Sequence, residues 1–237
     1  MVYKMMLSLL LPIYNEEANL RKNFMKIYRY TMALCDAEII ILENGRSSDA
    51  TRMLAENFAK MKGVRYISVM KKGRGGALKM GIREAKGSII GYMDIDLAVP
   101  LKYVSKAVSL AKDKYEFITG SRYAHGADAK RSTKRLIASI VYNSLPRIVF
   151  GSYVSDHQCG FKFWRASYIK KAERKIKDTH WFFDTEAIIR AENAGIKVYE
   201  MPVEWSEGKS TKVRISDITY FIRSIASLRN NLLHGND

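Results

Sequence analysis

A chain of 237 residues with 47% hydrophobic and 11% aromatic content can bury a sizeable core, which excludes a disordered protein. Its formal charge of +16 points to an anionic partner: nucleic acid, a phosphorylated small molecule or an anionic membrane surface. The two cysteines, Cys35 and Cys159, fit neither a disulfide framework nor a metal-ligand spacing, and predict a reduced, cytosolic-facing compartment.

The N-terminus is expected to run directly into a strand without a signal peptide. Leu7 to Ile13 is a nearly unbroken apolar run closed by Pro12, Tyr14 and Asn15, the pattern of a buried parallel strand. Leu20, Phe24, Ile27 and Leu34 follow at helical spacing, with Glu16 and Glu17 in the first turn, where the helix dipole favours acids. Glu38 to Glu43 predicts a second strand, the loop Asn44 to Asp49 follows it, and Leu54, Phe58 and Met61 carry the next helix. Val64 to Val69 predicts a third strand, and Lys71-Lys-Gly-Arg-Gly-Gly76 opens a helix through Ala77, Leu78 and Ile82. Ser88-Ile-Ile-Gly-Tyr-Met-Asp94-Ile-Asp96 predicts a fourth strand ending in two carboxylates. Read as strand, it sends both side chains from one face of its tip.

This alternation predicts an α/β fold with a mainly parallel, Rossmann-like sheet and helices on both faces. Ligands of such sheets bind at the carboxyl ends of the strands. Those ends carry Tyr14-Asn15-Glu16, Glu43-Asn44, Lys71-Lys72 and the Asp94/Asp96 pair, which together predict one polar site.

The second half is less regular. Phe117 to Ser121 predicts a short strand ending at Arg122. From Arg122 to Arg147, six cations (Arg122, Lys130, Arg131, Lys134, Arg135 and Arg147) face a single carboxylate, Asp128. Ile137 to Val154 is the longest apolar segment, but Asn143, Pro146 and Arg147 interrupt it and argue against a spanning helix, so membrane contact is expected from the surface. Asp156 to Lys162 is a polar loop leading into aromatics. Trp181-Phe-Phe-Asp184-Thr-Glu186 starts a helix that Gly195 ends, and Val198 to Trp205 is a further strand. In the tail, Ile215, Ile218, Ile222, Ile225, Leu228 and Leu232 have helical spacing, with Arg223 and Arg229 among the polar positions.

Two like charges held together at a strand tip repel and raise one pKa unless a cation sits between them, and oxygen-only ligands suit Mg²⁺ or Mn²⁺; one aspartate capping a turn while the other is solvated accounts for the same pair. Glycines 73, 75 and 76, with Lys72 and Arg74, suit backbone amides approaching a phosphate at a helix start, although a plain turn explains them equally. They form neither a dinucleotide fingerprint nor a P-loop. A nucleotide site on a parallel sheet, with a carboxylate pair for a divalent ion on the diphosphate, is what a nucleotide-sugar transferase requires.

Pro12-Ile-Tyr-Asn-Glu16, the loop from Glu43 to Asp49, Gly75-Gly76, Asp94-Ile-Asp96 and Gly120-Ser-Arg122 resemble the family 2 glycosyltransferases of GT-A fold. Lys72 to Gly81, Asp156 to Lys162, Trp181 to Asp184 and Val203 to Ser210 look like the dolichyl-phosphate sugar synthases, most closely the glucosyl branch. The resemblance spans about residues 7 to 214 and implies one GT-A catalytic domain over 1–237. Residues 1–100 would form the nucleotide-sugar half, 101–214 the acceptor half, and 215–237 an amphipathic helix.

It further implies that Pro12, Tyr14, Asn15, Glu16, Glu43, Asn44, Lys72, Gly75, Gly76, Asp94 and Ile95 contact the nucleotide-sugar. Asp94 and Asp96 would hold Mg²⁺ or Mn²⁺ on the diphosphate. Asp94, Asp96, Arg122 and Asp184 would surround the reaction, and Arg122, Arg131, Arg135, Ser210 and Lys212 would hold the acceptor phosphate. The implied reaction moves a hexose, glucose from UDP-glucose, to a polyprenyl or dolichyl phosphate with inversion, on a protein lying peripherally at the cytoplasmic membrane face.

Two departures stand out. The family's Asp-Asp-Gly-Ser loop reads Glu43-Asn44-Gly45-Arg46, and Ala98 stands where the mannosyl branch often has Gln. Transfer of mannose from GDP-mannose and a family 2 enzyme with a non-lipid acceptor are the alternative readings. Nucleic-acid binding rests on charge alone, lacks a recognised motif and is not expected. His125, His157, His180 and His234 show no ligand spacing.

Overall fold

The computed structural model describes residues 7–130, 133–206 and 215–235. In chain order the elements are β1 (Leu7–Ile13), α1 (Glu17–Leu34), β2 (Ala37–Asn44), α2 (Asp49–Phe58), β3 (Val64–Val69), α3 (Arg74–Glu84) and β4 (Ile89–Met93). There follow α4 (Lys102–Asp113), β5 (Phe117–Ser121), β6 (Asp128–Lys130), α5 (Thr133–Phe150), β7 (Phe161–Arg165) and α6 (Ala166–Ala172). The last elements are α7 (Phe183–Asn193), β8 (Val198–Pro202), β9 (Glu204–Ser206) and α8 (Ile215–Leu233).

Seven strands form one sheet in the order β3-β2-β1-β4-β7-β5-β8. β1 pairs in parallel with β2 and β4, β2 with β3, and β5 with β8, while β7 runs antiparallel to both β4 and β5. The sheet is thus mostly parallel, as the alternating pattern predicts, with one reversed strand inside it. The predicted strand from Val198 to Trp205 is two: β9 leaves the main sheet and pairs in parallel with β6.

Side chains of successive strand residues point to opposite faces, which divides the core in two. Leu9, Leu11 and Ile13 pack with Leu20, Phe24 and Ile27 of α1 and with Val104, Ala107 and Ala111 of α4. Leu10, Ile40 and Leu42 face the other way, onto Ala77, Leu78 and Ile82 of α3 and Ala187 and Ile188 of α7. A third cluster joins Phe182 and Ile189 to Phe221, Ile225 and Leu228 of α8, with Tyr142, Leu145 and Val149 of α5 packed against it. Pro146 lies inside α5. Among the described residues, no helix is long and apolar enough to cross a membrane.

This topology gathers one edge of the sheet. The chain turns one way from β1 to β2 and β3 and the other way to β4, so the β1/β4 gap is the switch point where a crevice opens beyond the strand ends. Because β7 is reversed, its beginning lies beside the end of β4, with Met93 opposite Phe161, and delivers the 156–160 loop to the same edge. The end of β5 brings Arg122 there, and β9, which follows β8, brings Trp205.

Candidate active site

A cleft of about 470 Å³ opens at this edge. Pro12, Ile13, Tyr14 and Glu16 after β1, Asn44 after β2 and Lys72 after β3 form one wall; the Lys72 ammonium lies 4.1 Å from the centre of the Tyr14 ring. Asp94, Ile95, Asp96 and Ala98 form the floor. Arg122, Gln158, Gly160, Trp181, Asp184 and Trp205 close the opposite side, and Arg74 reaches in from the start of α3.

The two aspartates converge by a route other than strand alternation. β4 ends at Met93, and Asp94 begins a turn in which the Leu97 amide donates to the Asp94 carbonyl at 3.3 Å and Leu97 takes a φ of +59°. Asp96 Oδ1 accepts from the Ala98 amide at 3.0 Å, and its side chain is exposed. Asp94 lies deeper. Its Oδ1 is 2.7 Å from Nη2 of Arg74, and a Cβ on Gly160 would come within 2.0 Å of its Oδ2, so only glycine leaves room for this carboxylate.

Three carboxylates at the back of the cleft have resident cations. Asp94 pairs with Arg74; Asp156 accepts Nε and Nη2 of Arg122 at 2.7 and 2.8 Å; Asp184 lies 3.4 Å from the buried Lys162 ammonium. Asp184 also accepts a hydrogen bond from the buried Tyr92 hydroxyl. Lys162 donates to the His157 and Cys159 carbonyls at 3.2 and 2.8 Å, tying the 156–160 loop to the same network. At the mouth, Glu16 accepts from Asn19 at 2.6 Å, and neither Glu16 nor Asp96 is ion-paired among the described residues.

These charges shape the protonation equilibria. Burial pushes the Asp94 carboxyl up; Arg74 opposes this, while Asp96 and Asp184 add to it, and the net pKa is raised. Glu16 is likewise raised by burial and by the nearby aspartates, against the Asn19 hydrogen bond. Burial works against the charge on Arg74, but Asp94, Tyr92 and Asp184 around it hold its pKa above the ordinary arginine value. For Asp156, burial is outweighed by the Arg122 charge and hydrogen bonds, which keep its carboxyl below the usual range.

Four residues expected at the nucleotide do other work. The Glu43 carboxylate is buried and takes hydrogen bonds from the Ser47 amide at 2.7 Å, the Tyr66 hydroxyl at 2.6 Å and the Ser68 hydroxyl at 2.5 Å. Burial raises its pKa, but those bonds prevail and lower it. Asn15, at a φ of +54°, is a corner clamp: its amide donates to Ser47 Oγ at 3.3 Å and its Oδ1 accepts from the Ser48 amide at 2.8 Å. The amides of Gly75 and Gly76 donate to the His180 and Thr179 carbonyls at 3.1 and 2.8 Å, leaving no donor for a phosphate. A Cβ on Gly75 would meet Phe183 Cβ at 2.7 Å, so this glycine lets α3 close on the segment before α7.

Arg131, Ser210 and Lys212 lie outside the described residues; Arg135 lies in α5, with its side chain outside what is described. The sequence places Arg74 beside a candidate phosphate turn but not against Asp94, and does not single out Lys162. Nothing in the sequence marks Lys162 as buried.

Among the described residues, no group of three or more His, Cys, Asp or Glu is arranged to hold a metal ion. A divalent cation here would rest on Asp94 and Asp96. Their second oxygens have no protein hydrogen-bond donor among the described residues, and diphosphate and water would complete the shell, a mode typical of Mg²⁺.

The family model for Glycosyl transferase family 2 matches residues 8–173. The chain belongs to glycosyl transferase family 2. This family 2 chain is 33% identical to Glycosyltransferase AglD of Haloferax volcanii over 232 residues, covering 95% of the chain and 36% of AglD. It is 29% identical to Dolichyl-phosphate beta-glucosyltransferase ALG5A of Trichomonas vaginalis over 222 residues, covering 89% of the chain and 68% of that protein. The chain therefore spans little more than a third of AglD and about two-thirds of the protist relative.

Among solved structures, glucosyl-3-phosphoglycerate synthase from Mycobacterium tuberculosis, with Mn²⁺ and UDP-glucose, superposes at a TM-score of 0.67 and 16% identity over 94% of this chain and 77% of that one. Mannosyltransferase PcManGT from Pyrobaculum calidifontis, with GDP-Man and Mn²⁺, does so at 0.58 and 15% identity over 88% and 59%. The fold is GT-A.

Proposed function

We propose that this family 2 chain is an inverting, metal-dependent hexosyltransferase that moves glucose from UDP-glucose to a polyprenyl or dolichyl phosphate. The observation that carries the reading is the cleft at the β1/β4 switch point, where Asp94 and Asp96 lie between a Pro12/Tyr14/Asn44 wall and an Arg122/Gln158/Trp205 wall. The dolichyl-phosphate glucosyltransferase relatives and the neighbours bearing Mn²⁺ and a sugar nucleotide support it.

On this reading Pro12, Tyr14, Glu16 and Asn44 border the nucleoside, Lys72 meets the phosphates, and Asp94 and Asp96 hold Mg²⁺ or Mn²⁺. The ion, when bound, neutralises charge on the departing nucleoside diphosphate. An acceptor phosphate oxygen attacks the anomeric carbon from the opposite face. A new C–O bond forms there as the bond to the diphosphate oxygen breaks, and the electron pair leaves with the nucleotide.

A phosphate is already anionic near neutral pH, so no general base is needed. Asp184, which accepts the Tyr92 hydroxyl and lies 3.4 Å from the Lys162 ammonium, is assigned a charge-positioning role on this reading. Arg122, and Arg131, Arg135, Ser210 and Lys212 beyond the described side chains, aim the acceptor phosphate. Glucose is favoured over mannose because Ala98 lines the cleft with a methyl group and offers no ligand.

The acceptor is a membrane lipid, and α5 with α8 provides a face for peripheral contact at the cytoplasmic side. Ile148 is 79% exposed, Ile222 52% and Leu233 71%, beside an apolar groove of about 480 Å³ that includes Leu145, Val149 and Ile222. Arg147, Arg223 and Arg229 are exposed on the same helices, and the α5 sequence has no carboxylate. Apolar residues entering the headgroup layer beside cations suit an anionic leaflet.

Purified protein incubated with Mn²⁺ or Mg²⁺, a short polyprenyl phosphate and labelled UDP-glucose or GDP-mannose in turn tests the reading. Label from UDP-glucose should enter the lipid phase, with at least about 100-fold loss in Asp94→Asn and Asp96→Asn. Transfer undiminished in both variants, or from neither donor, refutes it.

A further inference from the structure

Arg74 occupies the position that a cation on Asp94 would compete for. Its Nη2 is 2.7 Å from Asp94 Oδ1, and its guanidinium carbon is 5.3 Å from the ring centres of both Tyr92 and Trp181, one ring inside the core and one at the cleft. Only 11% of the side chain is exposed. Gly160 confines the pair from the other side, since a Cβ there would lie 2.0 Å from Asp94 Oδ2 and 2.9 Å from Arg74 Nη2. The guanidinium therefore has little room to withdraw. Its Nε and Nη2 are buried and make no hydrogen bond, the contact of Nη2 with Asp94 being an ion pair, although the residue lines the cleft.

We infer that Arg74 is the resident counter-ion of Asp94 and makes divalent-cation binding at the aspartate pair conditional on a nucleoside diphosphate. The inference rests on the metal-dependent reading above. A cation arriving alone meets a fixed positive charge that already neutralises one of its two carboxylates, and like charges at this range repel strongly where water is scarce. A cation arriving with a diphosphate brings the anionic oxygens that both it and the guanidinium need, and Nε and Nη2, neither of which makes a hydrogen bond, are donors left for them. Arg74 acts here as a positioning residue, coupling occupancy by the two ligands without taking part in bond making.

The test is Mn²⁺ affinity, read from the free-ion paramagnetic resonance signal, with and without UDP or GDP, in wild type, Arg74→Met, Arg74→Gln and Arg74→Lys. Each variant's fold is checked by its urea midpoint, so that either neutral variant suffices if the other fails to fold. In wild type, the diphosphate should tighten Mn²⁺ binding at least about tenfold. The neutral variants should bind Mn²⁺ alone about tenfold more tightly than wild type and lose most of the diphosphate's effect, while Arg74→Lys retains it. Wild type that binds Mn²⁺ with diphosphate, beside neutral variants whose affinity for Mn²⁺ alone is unchanged or weaker, overturns the inference and leaves the metal-dependent reading standing. Wild type that takes up no Mn²⁺ even with UDP or GDP overturns both.

Discussion

At the scale of the residue, Gly160 and His157 make opposite kinds of prediction. Adding a methyl group at Gly160 drives it into Asp94 and Arg74, the end of a short side chain and a confined guanidinium. Gly160→Ala should lower kcat/KM for sugar transfer at least about 100-fold, or ~2.7 kcal/mol, while costing about 1–3 kcal/mol of stability by urea unfolding. Near-normal turnover would mean that Asp94 need not sit where it does. His157 is buried against Ser152, with its Nδ1 unpartnered; burial, with the Lys162 charge adding to it, lowers its pKa from 6.5 to about 3. The unfolded chain takes up this proton near pH 6.5 and the folded chain does not until near pH 3. Its contribution to stability is therefore whole above pH 6.5 and declines as the pH falls towards 3. Between pH 7.5 and 5.5 the wild type should lose about 1.4 kcal/mol more than His157→Asn, measured by urea unfolding of both proteins at each pH. Equal losses would place the imidazole in contact with solvent.

At the scale of the element, α8 shows what periodicity can and cannot reveal. Its repeating apolar positions predict a helix, and the helix is there; but Phe221, Ile225 and Leu228 pack on the protein, while Ile218 and Ile222 face outward. A stripe too wide for one partner is visible in sequence, whereas its division between core and surface depends on where α5 and α7 lie. Ile148→Glu combined with Ile222→Glu should reduce co-sedimentation with anionic vesicles at least about fivefold and leave transfer to a detergent-dispersed acceptor within about twofold. Vesicle binding as strong as in wild type would place the contact elsewhere. Strands were legible where an apolar run met turn residues: β1, β3 and β5 match their predicted bounds. The fourth strand was read too far, because Ile95 between two aspartates imitates a strand while the chain has already turned. Val203 similarly hid the break between β8 and β9.

At the scale of the whole molecule, the location of the cleft was legible because strand–helix alternation dictates a parallel sheet, and such a sheet has a chemically active edge. What escaped was contact between distant segments. Glu43 at a strand tip resembles a ligand until β3 supplies Tyr66 and Ser68 to turn its carboxylate inward. The glycines of α3 resemble a phosphate cradle until the Thr179 and His180 carbonyls take their amides. Arg74 and Lys162 acquire meaning only when Asp94 and Asp184 are brought to them. The proposed placement of the donor over the β1/β4 gap is tested most directly by a crystal structure with Mn²⁺ and UDP, and an anomalous difference map recorded at the manganese edge. A peak between the Asp94 and Asp96 carboxylates and the diphosphate, with the base against Pro12, Tyr14 and Asn44, is the predicted result. UDP bound away from this cleft, with the aspartates directed elsewhere, would contradict it.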